Sequence, residues 1–65
     1  MVRRALELIR LEFEPATWQA FWRVQVDDQP VAAVAAALGL STNAVYKSRA
    51  RVLRRLRHEF GELIE

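Results

Sequence analysis

Two prolines and a glycine divide this chain into short segments that each have the apolar spacing of an α-helix. Pro15 and Pro30 suit the first position of a helix, and Gly39 suits the position where a helix ends. Between these breaks apolar residues recur at helical intervals, and no segment alternates polar and apolar residues as a half-buried strand does. The pattern therefore predicts an all-α domain.

The same signals predict four helices, over residues 3–13, 15–26, 30–38 and 42–59. Ser41 is predicted as the N-cap of the last helix. In the second helix, the residues predicted to face inward are Trp18, Phe21, Trp22 and Val26. In the last helix, the inward residues are predicted as Val45, Val52, Leu56 and Phe60, with Leu53 alongside.

The chain is too short for more than one domain, which we place over residues 1–65. It has no cysteine and one histidine, so thiolate metal sites and thiol catalysis are excluded. No apolar run approaches the roughly 20 residues that span a membrane. We therefore expect no enzyme, no cofactor, no small-molecule substrate and no membrane association.

Positive charge is concentrated in one part of the chain, although the net charge is only +2. Residues 31–58 contain six lysines and arginines and no carboxylate, whereas residues 1–30 contain four arginines and five carboxylates. A basic segment of this kind in a nearly neutral chain indicates a surface that faces a polyanion. One alternative is a solvated helix face with no ligand. Another is a membrane-surface helix, which would need large apolar residues on its opposite face that are not used by a core.

The third and fourth helices are predicted to form a helix-turn-helix over residues 31–58. Gly39, Leu40 and Ser41 are the only residues between them, and so short a link forces a sharp crossing. Ala35 is small enough for the crossing, and Val45 is a β-branched anchor one turn into the fourth helix. Many helical hairpins have a glycine turn, but few also carry a strongly basic second helix.

The outward face of the fourth helix is the predicted DNA-binding surface. Its N-terminal half is the part that enters the major groove in a helix-turn-helix protein. Lys47 suits the acceptor atoms of guanine, and Ala50 and Tyr46 suit a thymine methyl group. The complete predicted set is Ser41, Thr42, Asn43, Tyr46, Lys47, Ala50, Arg51 and Arg54.

Three stretches of the chain resemble the C-terminal region-four domain of bacterial extracytoplasmic-function (ECF) sigma factors. They are Phe13-Glu14-Pro15-Ala16-Thr17-Trp18-Gln19-Ala20-Phe21, Val34-Ala35-Ala36-Ala37-Leu38-Gly39-Leu40-Ser41, and the block from Ala44 to Arg57. Within the last block, Val45-Tyr46-Lys47-Ser48-Arg49 and Arg51-Val52-Leu53-Arg54-Arg55-Leu56 are the most specific part. The resemblance covers residues 13–58.

The resemblance implies a cytoplasmic four-helix domain that recognises the −35 promoter element in transcription initiation. Its implied partners are double-stranded promoter DNA, the β-subunit flap of RNA polymerase and an anti-sigma protein. By position, Tyr46, Lys47, Ala50 and Arg51 would face bases, and Ser41, Thr42, Asn43 and Arg54 would lie nearer the backbone. We expect an excised domain of a longer factor, in which residues 1–13 form a linker-derived helix.

Two other functions remain open from the residues alone. One is the helix-turn-helix output domain of a response regulator or repressor, which would usually dimerise through an added helix. The other is a protein-interaction module, in which the basic face is incidental. Its candidate contact residues are Leu8, Leu11, Leu63 and Ile64.

Overall fold

The computed structural model describes residues 2–61, which form four helices. These are α1 (Val2–Arg10), α2 (Pro15–Gln25), α3 (Val31–Leu38) and α4 (Thr42–Phe60). No strand occurs within that range, so the all-α prediction is confirmed for this part of the chain. Leu63 and Ile64 lie outside the described residues.

The core consists of two clusters, both of which involve α2 and α4. The first joins α2, α3 and the start of α4 through Ala20, Val34, Ala35 and Val45. The second joins α1, α2 and the remainder of α4, and its buried members are Ile9, Trp18, Phe21, Val52 and Leu56. The long helix α4 is therefore held along most of its length from one side.

The first helix ends three residues earlier than predicted. The N–H groups of Leu11, Glu12 and Phe13 donate to carbonyl oxygens three residues back, at 2.9–3.2 Å, so the chain tightens after Arg10. Pro15 then begins α2, as predicted. Phe13 still packs against the cluster that contains Trp18, in the arrangement of a hydrophobic staple.

Two residues that were predicted to face inward from α2 are exposed instead. Trp22 is 38% exposed and Val26 is 50% exposed, whereas Trp18 and Phe21 are buried as predicted. Val26 is the residue that caps the C-terminus of α2, beyond the part of the helix that packs on α4. Trp22 retains a stacked contact with Trp18, with 6.0 Å between ring centroids.

The connection between α2 and α3 turns without a glycine. Asp28 adopts the left-handed backbone conformation, with a φ of 59°. Aspartate tolerates this conformation better than most residues, because its short polar side chain bonds locally. The N–H of Gln29 donates to the carbonyl oxygen of Arg23 at 2.9 Å and closes the turn.

The connection between α3 and α4 follows the predicted local chemistry. Gly39 has a φ of 69°, and the N–H of Leu40 donates to the carbonyl oxygen of Ala35 at 2.9 Å. The Ser41 Oγ accepts the N–H of Ala44 at 3.0 Å, so Ser41 is the N-cap of α4. Residues 39–41 thus fix both the end of α3 and the start of α4.

Candidate nucleic-acid interface

The residues predicted to bind DNA all lie at the exposed side of α4 or at its start. All eight are exposed: Ser41, Thr42, Asn43, Tyr46, Lys47, Ala50, Arg51 and Arg54. Because α4 is one uninterrupted helix from Thr42 to Phe60, the register of these residues is fixed relative to one another. We call this set the α4 outer face.

The outer face is exposed because the opposite side of α4 is committed to the core. Val45, Ser48, Val52 and Leu56 are buried and recur every three or four residues. Of these, Ser48 was missed, because a serine carries no apolar signal. Its spacing from Val45 and Val52 was the signal that would have placed it inside.

Much of the positive charge on α4 is not neutralised within the described part of the chain. Among residues 2–61, the ion pairs are those of Arg55 with Glu12 and with Glu59. Lys47, Arg51 and Arg54 therefore have no carboxylate partner in that range. A helix face of this charge attracts a polyanion strongly at low salt.

Arg55 is the cation of α4 that does form ion pairs. Its Nε and Nη2 donate to the two carboxylate oxygens of Glu12 at 2.8 and 3.0 Å, and its Nη1 donates to Glu59 at 3.1 Å. The two-pronged pair with Glu12 connects α4 to the α1–α2 connection. These hydrogen bonds lower the pKa of Glu12 and raise the pKa of Arg55, although burial acts in the opposite direction on both.

Arg49 and Tyr46 form a second contact on α4. The Arg49 guanidinium carbon lies 5.6 Å from the centroid of the Tyr46 ring, within the range of a cation–π interaction. Arg49 is half-buried, as expected for a side chain whose stem packs on the core. The contact restrains Tyr46, which is 50% exposed, at one border of the outer face.

The start of α4 adds backbone donors to the same surface. The first intrahelical bond of α4 runs from the N–H of Val45 to the carbonyl oxygen of Ser41, at 3.1 Å. The N–H groups of Thr42 and Asn43 therefore precede the hydrogen-bonded part of the helix. Such a helix end favours an anion because of the helix dipole.

A separate surface of α1 and α2 is apolar rather than basic. A groove lined by Leu6, Trp18 and Trp22, with Arg3, Glu7 and Arg10 at its borders, runs between these helices. Leu8, on α1, is 58% exposed, and Leu11, just after α1 ends, is 75% exposed.

Neither a metal site nor a membrane span was found in the described residues. Residues 2–61 contain no group of three histidine or carboxylate side chains arranged to hold a metal ion. None of the helices in that range is long and apolar enough to cross a bilayer.

Comparisons with protein-family models, with curated proteins and with solved structures returned no match to this chain.

Proposed function

We propose that this chain is a double-stranded DNA-binding module in which α3 and α4 act as a helix-turn-helix. The observation that carries the proposal is the α4 outer face, where Lys47, Arg51 and Arg54 are exposed on a helix anchored along its other side. The turn at Gly39 and the cap at Ser41 hold the start of α4 beside α3. This is the arrangement that such a motif needs to insert its second helix into the major groove.

In this proposal the residues of the outer face divide by their distance from the start of α4. Lys47 and Arg51 contact base edges, because the N-terminal half of a recognition helix enters the groove. Tyr46 and Ala50 offer apolar contact to a thymine methyl group. Arg54, further along, contacts a phosphate and adds affinity without base preference. Ser41, Thr42 and Asn43 lie against the backbone at the groove edge.

The specific role we propose is recognition of the −35 promoter element as region four of an RNA polymerase sigma factor. The support for this role is the resemblance of residues 13–58 to that family, above all the block from Ala44 to Arg57. The partners in this role are the β-subunit flap of RNA polymerase and an anti-sigma protein, in the cytoplasm.

The experiment that tests the proposal is an unbiased selection of duplexes from a random library by the 65-residue chain. We expect enrichment of one short motif. Lys47→Ala and Arg51→Ala should each weaken binding to the enriched duplex by about 1–3 kcal/mol and relax preference at one position. Arg4→Ala, which removes the same charge from an exposed site on α1, is the matched control.

Three results of this experiment would count against the proposal. The first is a selection that enriches no motif. The second is unchanged affinity and base preference in both Lys47→Ala and Arg51→Ala. The third is a loss of binding in Arg4→Ala as large as in those two variants. The last result would mean that only the net charge of the chain matters.

Two exposed leucines, at the end of α1 and just after it, favour a second role as a contact surface for another protein. Leu8 and Leu11 place two large apolar side chains in solvent, outside the set of residues that forms the α4 outer face. Replacing both with glutamine, which adds no charge, should abolish capture of polymerase or of an anti-sigma protein and leave DNA affinity within about twofold. Loss of DNA binding in that variant would show that the two surfaces are not separate.

A further inference from the structure

The basic surface of α4 continues beyond the residues assigned to base recognition. Lys47, Arg51, Arg54 and His58 are spaced by four, three and four residues, so they form one stripe along the helix. All four side chains are exposed. At a rise of 1.5 Å per residue the stripe is about 16 Å long, which is the axial length of about five base pairs.

The far end of this stripe borders a groove between α4 and the α1–α2 connection. The groove is lined by Arg51, Arg54, Arg55 and His58 from α4 and by Glu12 and Phe13 from the connection. Three guanidinium groups and an imidazole thus line a concave site whose apolar side chain is that of Phe13. A phosphate oxygen suits such a set of donors, since arginine binds phosphate through its planar fork.

Glu12 is the one group in this groove that would repel a phosphate. Both of its oxygens are held by Arg55, at 2.8 and 3.0 Å, so its charge is balanced by the cation that faces it. Glu59, the other partner of Arg55, does not line the groove. Arg55 is therefore placed to neutralise Glu12 rather than to bind an anion itself.

We propose that this groove binds a DNA backbone phosphate beside the bases that α4 reads, through Arg54 and His58. Arg55 is a positioning residue that keeps the Glu12 carboxylate from opposing that phosphate. The inference rests on the proposed DNA-binding function and deepens it. DNA is favoured over an acidic protein because the groove is continuous with the basic stripe that begins at Lys47. A DNA strand whose bases contact that stripe would bring its sugar–phosphate backbone to the groove.

A double-mutant cycle between Arg55 and Glu12 tests the positioning role. The probe is the duplex enriched by selection, and binding is measured by fluorescence anisotropy at low salt with the full chain. Arg55→Gln should weaken binding by more than about fivefold, because the lost unit charge a few ångströms from a phosphate is worth about fivefold in a water-like dielectric and the Glu12 carboxylate is also released. In the Glu12→Gln background, the same substitution should weaken binding by only about fivefold, because the charge of Arg55 is lost but no carboxylate is released.

Two results of the cycle would overturn the proposal. Equal losses in both backgrounds would show that Arg55 acts on DNA through its own charge and not by holding Glu12. No loss in either background would show that the groove lies away from DNA. Circular dichroism shows whether Arg55→Gln folds. If it does not, Glu12→Gln alone tests whether the groove faces a phosphate. Glu12→Gln should raise the affinity for DNA, and the matched control Glu7→Gln on α1 should not.

A scan of the duplex with neutral methylphosphonate linkages locates the phosphate. Neutralising one linkage beside the read bases should weaken binding by the wild-type chain, and Arg54→Gln or His58→Ala should remove sensitivity at that same linkage. Equal sensitivity in wild type and variants would overturn the proposal, and would leave an acidic partner protein as the occupant of the groove. Failure of the wild-type chain to bind any duplex would instead refute the proposed function, so the two failures are distinguishable.

Discussion

Replacing Ala35 with leucine should disturb the crossing between α3 and α4 more than any exposed substitution in α3. Ala35 is only 5% exposed and packs in one cluster with Ala20, Val34 and Val45. Leucine adds three carbon atoms at this position, where neighbouring helices already meet. Overpacking of this kind costs about 1–3 kcal/mol of unfolding free energy.

The magnitude is large for so small a domain. A loss of about 2 kcal/mol should lower the Tm by roughly 10 °C in a chain of this size. It is also a large share of the few kcal/mol of net stability that a single small core supplies. Thermal unfolding followed by far-UV circular dichroism measures the effect.

Ala33→Leu is the matched control, because it makes the same chemical change at an exposed position of the same helix. Its unfolding free energy should stay within about 0.5 kcal/mol of wild type. Equal Tm values for the two variants, or a larger loss for Ala33→Leu, would refute the placement of Ala35 at the crossing. At temperatures where it stays folded, Ala35→Leu should also bind DNA less tightly, since α4 is displaced from α3.

The remaining predictions concern the core, the cap and the ion pair. Val52→Ala, at a fully buried position, should cost about 2 kcal/mol by urea denaturation; a loss below about 0.5 kcal/mol would contradict the packing. Ser41→Ala should cost about 1 kcal/mol and Ser41→Asp much less; equal losses would argue against the cap. The lowered pKa of Glu12 stabilises the fold above the unfolded-state carboxyl pKa, about 4.3, and this contribution is lost as the pH falls through the folded-state value. Glu12→Gln should therefore flatten the acid side of the stability profile, and an unchanged profile would show that the pair with Arg55 is not formed in solution.

Local signals predicted the helix starts and turns because the chemistry that sets them is local. Pro15 fixes the backbone at the start of α2, Gly39 takes a left-handed conformation, and Ser41 caps α4 within three residues. The inward side of each helix was predicted less well. Trp22 and Val26 continue the apolar spacing of α2, but burial also requires a neighbouring helix at that point.

Part of the candidate site could also be predicted from the sequence, and part could not. Exposure of the α4 outer face followed from the apolar stripe, since the residues opposite Val45 and Val52 must face solvent. The pairing of Arg55 with Glu12 did not follow, because 43 residues separate the two and no spacing rule connects them. Only the approach of the α1–α2 connection to α4 brings them together.

The most direct test of the DNA-binding proposal is an NMR titration of the isotope-labelled chain with the duplex enriched by selection. We expect amide shifts to concentrate in residues 41–58 and beside the groove at Phe13, while amides near Leu8 and Trp22 stay unchanged. Shifts confined to α1 and the apolar groove, or no shift at saturating duplex, would contradict it.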